Sequence, residues 1–247
     1  MRNKSSASAS SASNLRTQLL EFLIDSAHEL QVIPIVKYTA LSLFADRFYD
    51  SFRSSRLVGV ENLGHWLFKP IRESNLQLFA LISLWISSKI HNSSPLSVKT
   101  LKSFGDKSIT EQHFTARDFL EAEIVFLQVL DYELGAGNVA FIFLEDLLSQ
   151  LKGMAKVGEL VNLEACMDIM DLLYETEDSS LLYSCSLSLA ASTLVASYVI
   201  TVPKQRWEFP VLPWGKDFFS CEFIENFKTQ YVLDGVIDFL LEPFLFC

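Results

Sequence analysis

The stretch Ser74–Pro95, SNLQLFALISLWISSKIHNSSP, constrains the fold more than any other part of the chain. Ser74 and Asn75 offer capping oxygens for a helix start, and Asn92-Ser93-Ser94 before Pro95 supplies a stop. Between them Leu76, Leu78, Phe79, Leu81, Ile82, Leu84, Trp85 and Ile86 fall on every side of a helical cylinder, with mostly small Ser and Ala in the gaps. Such a helix is buried all round. It falls short of the roughly 20 residues needed to cross a bilayer and closes on Lys89, so it reads as the core helix of a globular domain. Lys89 is then a cation where a central helix emerges, favourably placed on the helix dipole and next to whatever binds there.

The rest of the chain fits helices packed around that element. Its 247 residues are 50% hydrophobic, enough for one large or two medium cores. Only 9 Gly and 7 Pro occur, apolar residues recur at spacings of three and four, and no long alternation predicts a sheet, so the fold class is all-α. A net charge of -10 disfavours a grip on phosphate backbones, and no nucleic-acid partner is expected. Cys166, Cys185, Cys221 and Cys247 are widely spaced without a C-x-x-C pair, which reads as reduced thiols of a cytosolic or nuclear protein. The Ser/Ala-rich residues 1–14 read as a disordered tail.

From Leu15 an amphipathic helix is expected, capped by Ser13 or Asn14, with Leu15, Leu19, Phe22, Leu23 and Leu30 on one side and Arg16 beside that apolar face. Pro34 opens a second helix reaching about Phe52, with Tyr38, Leu41, Ala45, Phe48 and Phe52 inward. Residues 53–72 read as a looser basic and aromatic segment. After Pro95 come a short helix around Val98, Leu101 and Phe104, a Gly105-Asp106-Lys107 turn, and a long helix opened by the capping box Thr115-Ala116-Arg117-Asp118. Its expected buried side is Phe119, Leu120, Ile124, Leu127, Leu130 and Leu134. Glu123 sits among these apolar neighbours. An unpaired desolvated carboxylate costs several kcal/mol, so a cation or N–H donors must meet it.

Gly135-Ala136-Gly137-Asn138 marks a domain boundary. Beyond it the pattern predicts helices at Val139–Leu151, Leu160–Tyr174, Leu181–Val202, Cys221–Lys228 and Val232–Leu241, with an aromatic loop at Trp207–Trp214. The uncharged Leu181–Val202 run is long enough to span a membrane, but its Ser, Thr, Cys and Ala content favours the buried helix of a second domain, and no membrane partner is expected. No phosphate loop, nucleophile elbow or H-E-x-x-H motif is present, and His28, His65, His91 and His113 are scattered. The chain therefore reads as a binding module with no catalytic residue, no metal and no cofactor.

Four segments in order resemble the cyclin family. LQLFALISLWISSK resembles the third helix of the cyclin box, which ends in Ala-Ser-Lys; ITEQHFTARDFLEAE and VLDYEL resemble its Ile-Thr segment and the helix after it. Leu15-Arg16-Thr17-Gln18-Leu19 stands where the family has Met-Arg-Ala-Ile-Leu, and Asp46-Arg47-Phe48 matches its Asp-Arg-Phe. The wording and short N-terminus resemble most the small J-type cyclins of plants. The resemblance implies tandem cyclin folds, two five-helix domains each around a buried central helix: an N-terminal box at 15–135 and a cyclin-like domain at 136–247.

It further implies a regulatory subunit, not an enzyme, that binds and activates a cyclin-dependent serine/threonine protein kinase in cell-cycle or developmental control, located in nucleus, cytoplasm or both. Lys89 and Glu123 would either meet the kinase, with an apolar centre of Ile90, Phe119 and Phe126, or form a pair that merely closes the domain. Arg16 and Asp46 would form an internal ion pair. The face of Leu15, Gln18, Leu19 and Phe22 is either simple core packing or the patch that docks kinase substrates or inhibitors. His91-Asn92 stands where the family has Glu-Glu, which bears on which kinase is recognised. The alternatives are a cyclin-fold transcription-associated protein and a helical scaffold that activates nothing.

Overall fold

A computed structural model describes residues 5–52, 66–68, 72–92, 94–135, 139–175 and 186–207, with side chains described from residue 15 onward. Every regular element among them is helical. They divide into two compact units, residues 1–139 with 174–177, and the remainder.

The first unit holds α1 (Ser5–Glu29), α2 (Pro34–Leu41), α3 (Glu73–His91), α4 (Val98–Ser108) and α5 (Ala116–Val129). α1 begins at Ser5, inside the expected tail, because Ala7, Ala9 and Ala12 are strong helix formers that carry the turn back past Ser13 and Asn14. α2 starts with Pro34 in its first turn, where a missing N–H costs nothing, and runs on through a π-helical turn, Ser42–Phe48. The expected Gly105 turn is instead part of α4: the Phe119 ring lies 3.2 Å from where a Cβ would stand, so glycine serves close approach to α5. Thr115 and Asp118 close the capping box that opens α5.

α3 is the axis of this unit. From Ser74 to Ser88 only Gln77 escapes full burial. Ser74 and Asn75 lie inside the first turn rather than capping it, and the Asn75 amide donates to the Leu67 carbonyl at 2.7 Å. Its small polar residues let neighbours approach and still satisfy their own hydroxyls. Ser87 donates to the Val36 carbonyl of α2 at 2.7 Å, and Ser88 donates to the Trp85 carbonyl at 2.8 Å while accepting from the Leu96 N–H at 3.1 Å. Around α3 an aromatic cluster forms: Phe48 stands 4.8 Å from Phe79 and 4.5 Å from Phe126, and Phe68 lies 5.3 Å from Phe79. Such ring pairs contribute about 0.5–1.5 kcal/mol each beyond burial.

Tyr174 and Glu175 belong to this unit although they lie far along the chain. Arg16, 5% exposed, donates to the Tyr174 carbonyl at 3.3 Å, Thr17 donates to the Glu175 carbonyl at 3.3 Å, and the Tyr174 ring stands 6.4 Å from that of Tyr38.

The second unit contains α6 (Ala140–Met154), most of α7 (Leu163–Glu175) and α8 (Ser186–Thr201). Phe141, Leu144, Leu147, Leu148 and Leu151 of α6 are buried, as are Ala190, Ala191 and Leu194 of α8. The 3-10 turn Lys156–Leu160 presses Gly158 against the end of α6: a Cβ there would meet the Lys152 Cα at 2.7 Å. No described helix is long and apolar enough to cross a membrane. The helices expected at 221–228 and 232–241, the loop at 208–214, the 53–65 segment and Cys185, Cys221 and Cys247 lie outside the described residues.

Candidate functional site

Lys89 stands in the last turn of α3, where the helix carbonyls favour a cation. Four residues earlier on the same face is Trp85, whose ring centroid lies 3.6 Å beneath the ammonium. The indole is itself held by donation to the Leu96 carbonyl at 2.8 Å. Thus aimed, Lys89 Nζ meets Glu123 Oε1 of α5 at 2.5 Å, which supplies the cation that the carboxylate requires. The Lys89 and Glu123 side chains keep 39% and 17% of their surface exposed. A pair so exposed contributes only about 0–1 kcal/mol to folding. Its hydrogen-bonding capacity is therefore available at little cost to a partner.

The apolar surroundings differ from the expected set. Phe119 and Phe126 are 1% and 0% exposed and belong to the core, while Leu120 and Ile124 are 50% and 54% exposed. α5 carries apolar residues on both faces, so periodicity alone could not choose. The choice follows from what packs on it: the Phe126 ring closes on Phe48 and the Phe119 ring on Gly105. The water-facing apolar residues beside the Lys–Glu pair are Ile90, Leu120 and Ile124.

His91 was readable in sequence only as a departure from the family pattern. Its Nε2 is 2.9 Å from Thr39 Oγ1 of α2, and burial holds its pKa below the ordinary histidine value. A neutral ring here ties the end of α3 to α2. Trp66 belongs to the basic and aromatic segment that the sequence leaves open between a plain loop and a docking surface. It opens a 3-10 turn, Trp66–Phe68, and donates from Nε1 to Glu121 Oε2 at 3.3 Å, while Arg117 Nε holds Oε1 of the same carboxylate at 2.8 Å.

Arg16 and Asp46 are brought near each other, but Arg16 Nη1 spends its hydrogen bond on the Tyr174 carbonyl. Asp46, at the π-helical turn, is an exposed residue overall, while the protein atoms crowded around its carboxyl leave that group poorly solvated. Burial pushes its carboxyl up to about 6, against the opposing effects of the Ser42 hydroxyl and the Arg16 charge. The π-helical segment thus carries the charged residue, whose hydrogen-bond partner is Ser42 while Arg16 acts on it only through its charge. On α1, Leu19 is fully buried, Leu15 and Phe22 are half-buried, and Gln18 is exposed. Leu19 is therefore a core residue, while Leu15, Gln18 and Phe22 keep surface toward water. No metal-holding cluster occurs among the described residues.

The first unit is thus a helical box wrapped around a buried axis helix, with a Lys–Glu pair exposed where that axis ends. Residues 1–135 match the family described as Cyclin, N-terminal domain, and the chain belongs to the cyclin family. It is 60% identical over 225 residues to Cyclin-J18 of Arabidopsis thaliana, covering 91% of this chain and 95% of that protein. It is 51% identical over 242 residues to Cyclin-J18-like of Oryza sativa subsp. japonica, covering 96% of this chain and 90% of the relative. Within the family it is a cyclin of the plant J type, a cyclin-type regulator.

Proposed function

We propose that this cyclin is the regulatory subunit of a cyclin-dependent protein kinase, which it binds through the surface around Lys89 and Glu123 and thereby activates. The observation that carries this reading is the Lys89–Glu123 pair at 2.5 Å, exposed at the end of a rigid core helix beside Ile90, Leu120 and Ile124. Kinase catalysis needs a nucleotide-binding lysine paired with a glutamate of the kinase C-helix, and an ordered activation loop. A rigid domain that binds only the helix-in state raises the population of that state. To move a kinase from about 1% to about 99% active, it must prefer that state by roughly 10⁴-fold. Apolar contact supplies affinity for such a task, and the paired charges, switching to backbone groups of the kinase, supply orientation. The chain itself contributes no step of phosphoryl transfer.

Co-expression with a panel of cyclin-dependent kinases tests this, scoring copurification and histone phosphorylation. Wild type activates a kinase, whereas Lys89→Ala and Glu123→Ala lose activation with unchanged helicity and melting. Failure of wild type to bind any kinase, or full activation by both variants, would refute the proposal.

A further inference from the structure

At 3.6 residues per turn, the water-facing side of α5 reads in order Glu121, Ile124, Leu120, Glu123. Its two flanks are each anchored by a residue from outside the helix: Lys89 on Glu123 at 2.5 Å, and Trp66 on Glu121 at 3.3 Å. Between them lie the exposed Leu120 and Ile124. Lys89 and Trp66 therefore bracket one continuous strip, polar at both margins and apolar in the middle.

Trp66 is presented by a firm support. The next two residues, Leu67 and Phe68, are buried, and the Leu67 carbonyl accepts from the Asn75 amide of α3 at 2.7 Å. The Phe68 ring stacks 5.3 Å from Phe79 and 5.6 Å from Phe52. The indole N–H is fixed on Glu121, whose other oxygen is fixed by Arg117, yet 42% of Trp66 stays exposed. A tryptophan held in one orientation loses little entropy on binding, and tryptophan is among the residues that most often dominate interface energies.

Resting on the kinase-binding reading above, we infer that Trp66 is a specificity-determining contact for the same kinase, extending its footprint from Lys89 across Leu120 and Ile124 to the indole. The continuity of the strip along α5 assigns the occupant: a partner seated on Lys89 and Glu123 meets Leu120 and Ile124 next, and Trp66 after them. The exposed Arg117 guanidinium disfavours a second cation there. The kinase accordingly offers an apolar side chain to the indole and a carboxylate within reach of Arg117.

The test measures Kd for the copurifying kinase with the full chain carrying Trp66→Ala, Trp66→Phe, Ile124→Ser or Arg117→Glu, with Ile200→Ser of the second unit as control. The expected result is at least tenfold weaker binding for Trp66→Ala, Ile124→Ser and Arg117→Glu, a smaller loss for Trp66→Phe, and a change within twofold for Ile200→Ser. If Trp66→Ala lowers the melting temperature, Arg117→Glu decides, since Arg117 is exposed and lies beyond the surface of the proposed function. Binding within twofold of wild type for these variants, while Lys89→Ala and Glu123→Ala lose it, overturns the inference and leaves the proposed function standing. Unchanged binding by the Lys89 and Glu123 variants as well, or no binding by wild type, overturns both.

Discussion

Replacing Phe48 by alanine probes how the core positions the candidate site. Phe48 is fully buried and has ring neighbours in Phe44 at 5.9 Å, Phe52 at 6.3 Å, Phe79 at 4.8 Å and Phe126 at 4.5 Å. Phe79 belongs to α3 and Phe126 to α5, the two helices that carry Lys89 and Glu123. A buried Phe→Ala change costs about 3–5 kcal/mol, depending on how far the site collapses. Here collapse is limited, because the surrounding rings are themselves stacked: Phe68 also rests on Phe79 and on Phe52. About 4 kcal/mol is therefore expected, a large part of the 5–15 kcal/mol typical of a domain. Because the chain contains two units, melting reports overall folding, and hydrogen exchange of the α3 amides resolves the stability of the first unit by itself. The α3 amides lose about 4 kcal/mol of protection in Phe48→Ala and about half of that in Phe48→Leu, which keeps most of the volume but none of the stacking. A loss below about 1.5 kcal/mol in Phe48→Ala would refute the ring-cluster account of this core.

Three further outcomes follow from the geometry. Asp46 has its folded-state pKa raised to about 6, so its ionisation opposes folding: its penalty is absent below pH 3.8, grows as pH rises through about 6, and is complete above it. Full exclusion of water would make this about 3 kcal/mol, and the overall exposure of the residue screens it to about 1 kcal/mol, so denaturant unfolding should show Asp46→Asn more stable than wild type at pH 7.5 but not at pH 3.5. His91 has the opposite sign: its pKa is lowered from 6.5 by burial, so stability is lost as pH falls below 6.5, and His91→Gln should flatten that slope in hydrogen-exchange measurements. In the second unit Gly158→Ala forces a Cβ to within 2.7 Å of Lys152 backbone and should cost about 1–3 kcal/mol in denaturant unfolding, whereas Gly153→Ala, with open space around it in α6, should stabilise by about 0.5–1 kcal/mol.

Local rules carried the axis of the first unit and the cation at its end. A helix apolar all round has no solvent face to offer, so the burial of Leu76 and of Leu78 through Ile86 followed from composition and spacing alone. The Thr115–Asp118 capping box was legible for the same reason, since its hydrogen bonds close within one turn. Glu123 announced its need for a cation through its apolar neighbours, and Lys89 fills it. The Trp85–Lys89 contact also had a signal in the spacing of four residues.

What lay beyond local reading depends on which element arrives from elsewhere in the chain. Phe119 and Leu120 are both large and apolar, and only the approach of Gly105 and Phe48 decides that Phe119 and Phe126 turn inward while Leu120 and Ile124 face water. Arg16 looked destined for Asp46, but a backbone carbonyl 158 positions away takes its hydrogen bond. A helical domain around a buried axis, a cation at the end of that axis and a carboxylate in need of a partner were legible in the residues alone, because hydrophobic period and capping act within a few turns, whereas the meeting of Lys89 and Glu123 across 34 positions depends on the packing of α5 on α3. Tertiary structure decided which apolar residues form the surface around that pair, because burial depends on the neighbour across the interface, and that neighbour is brought by the path of the chain.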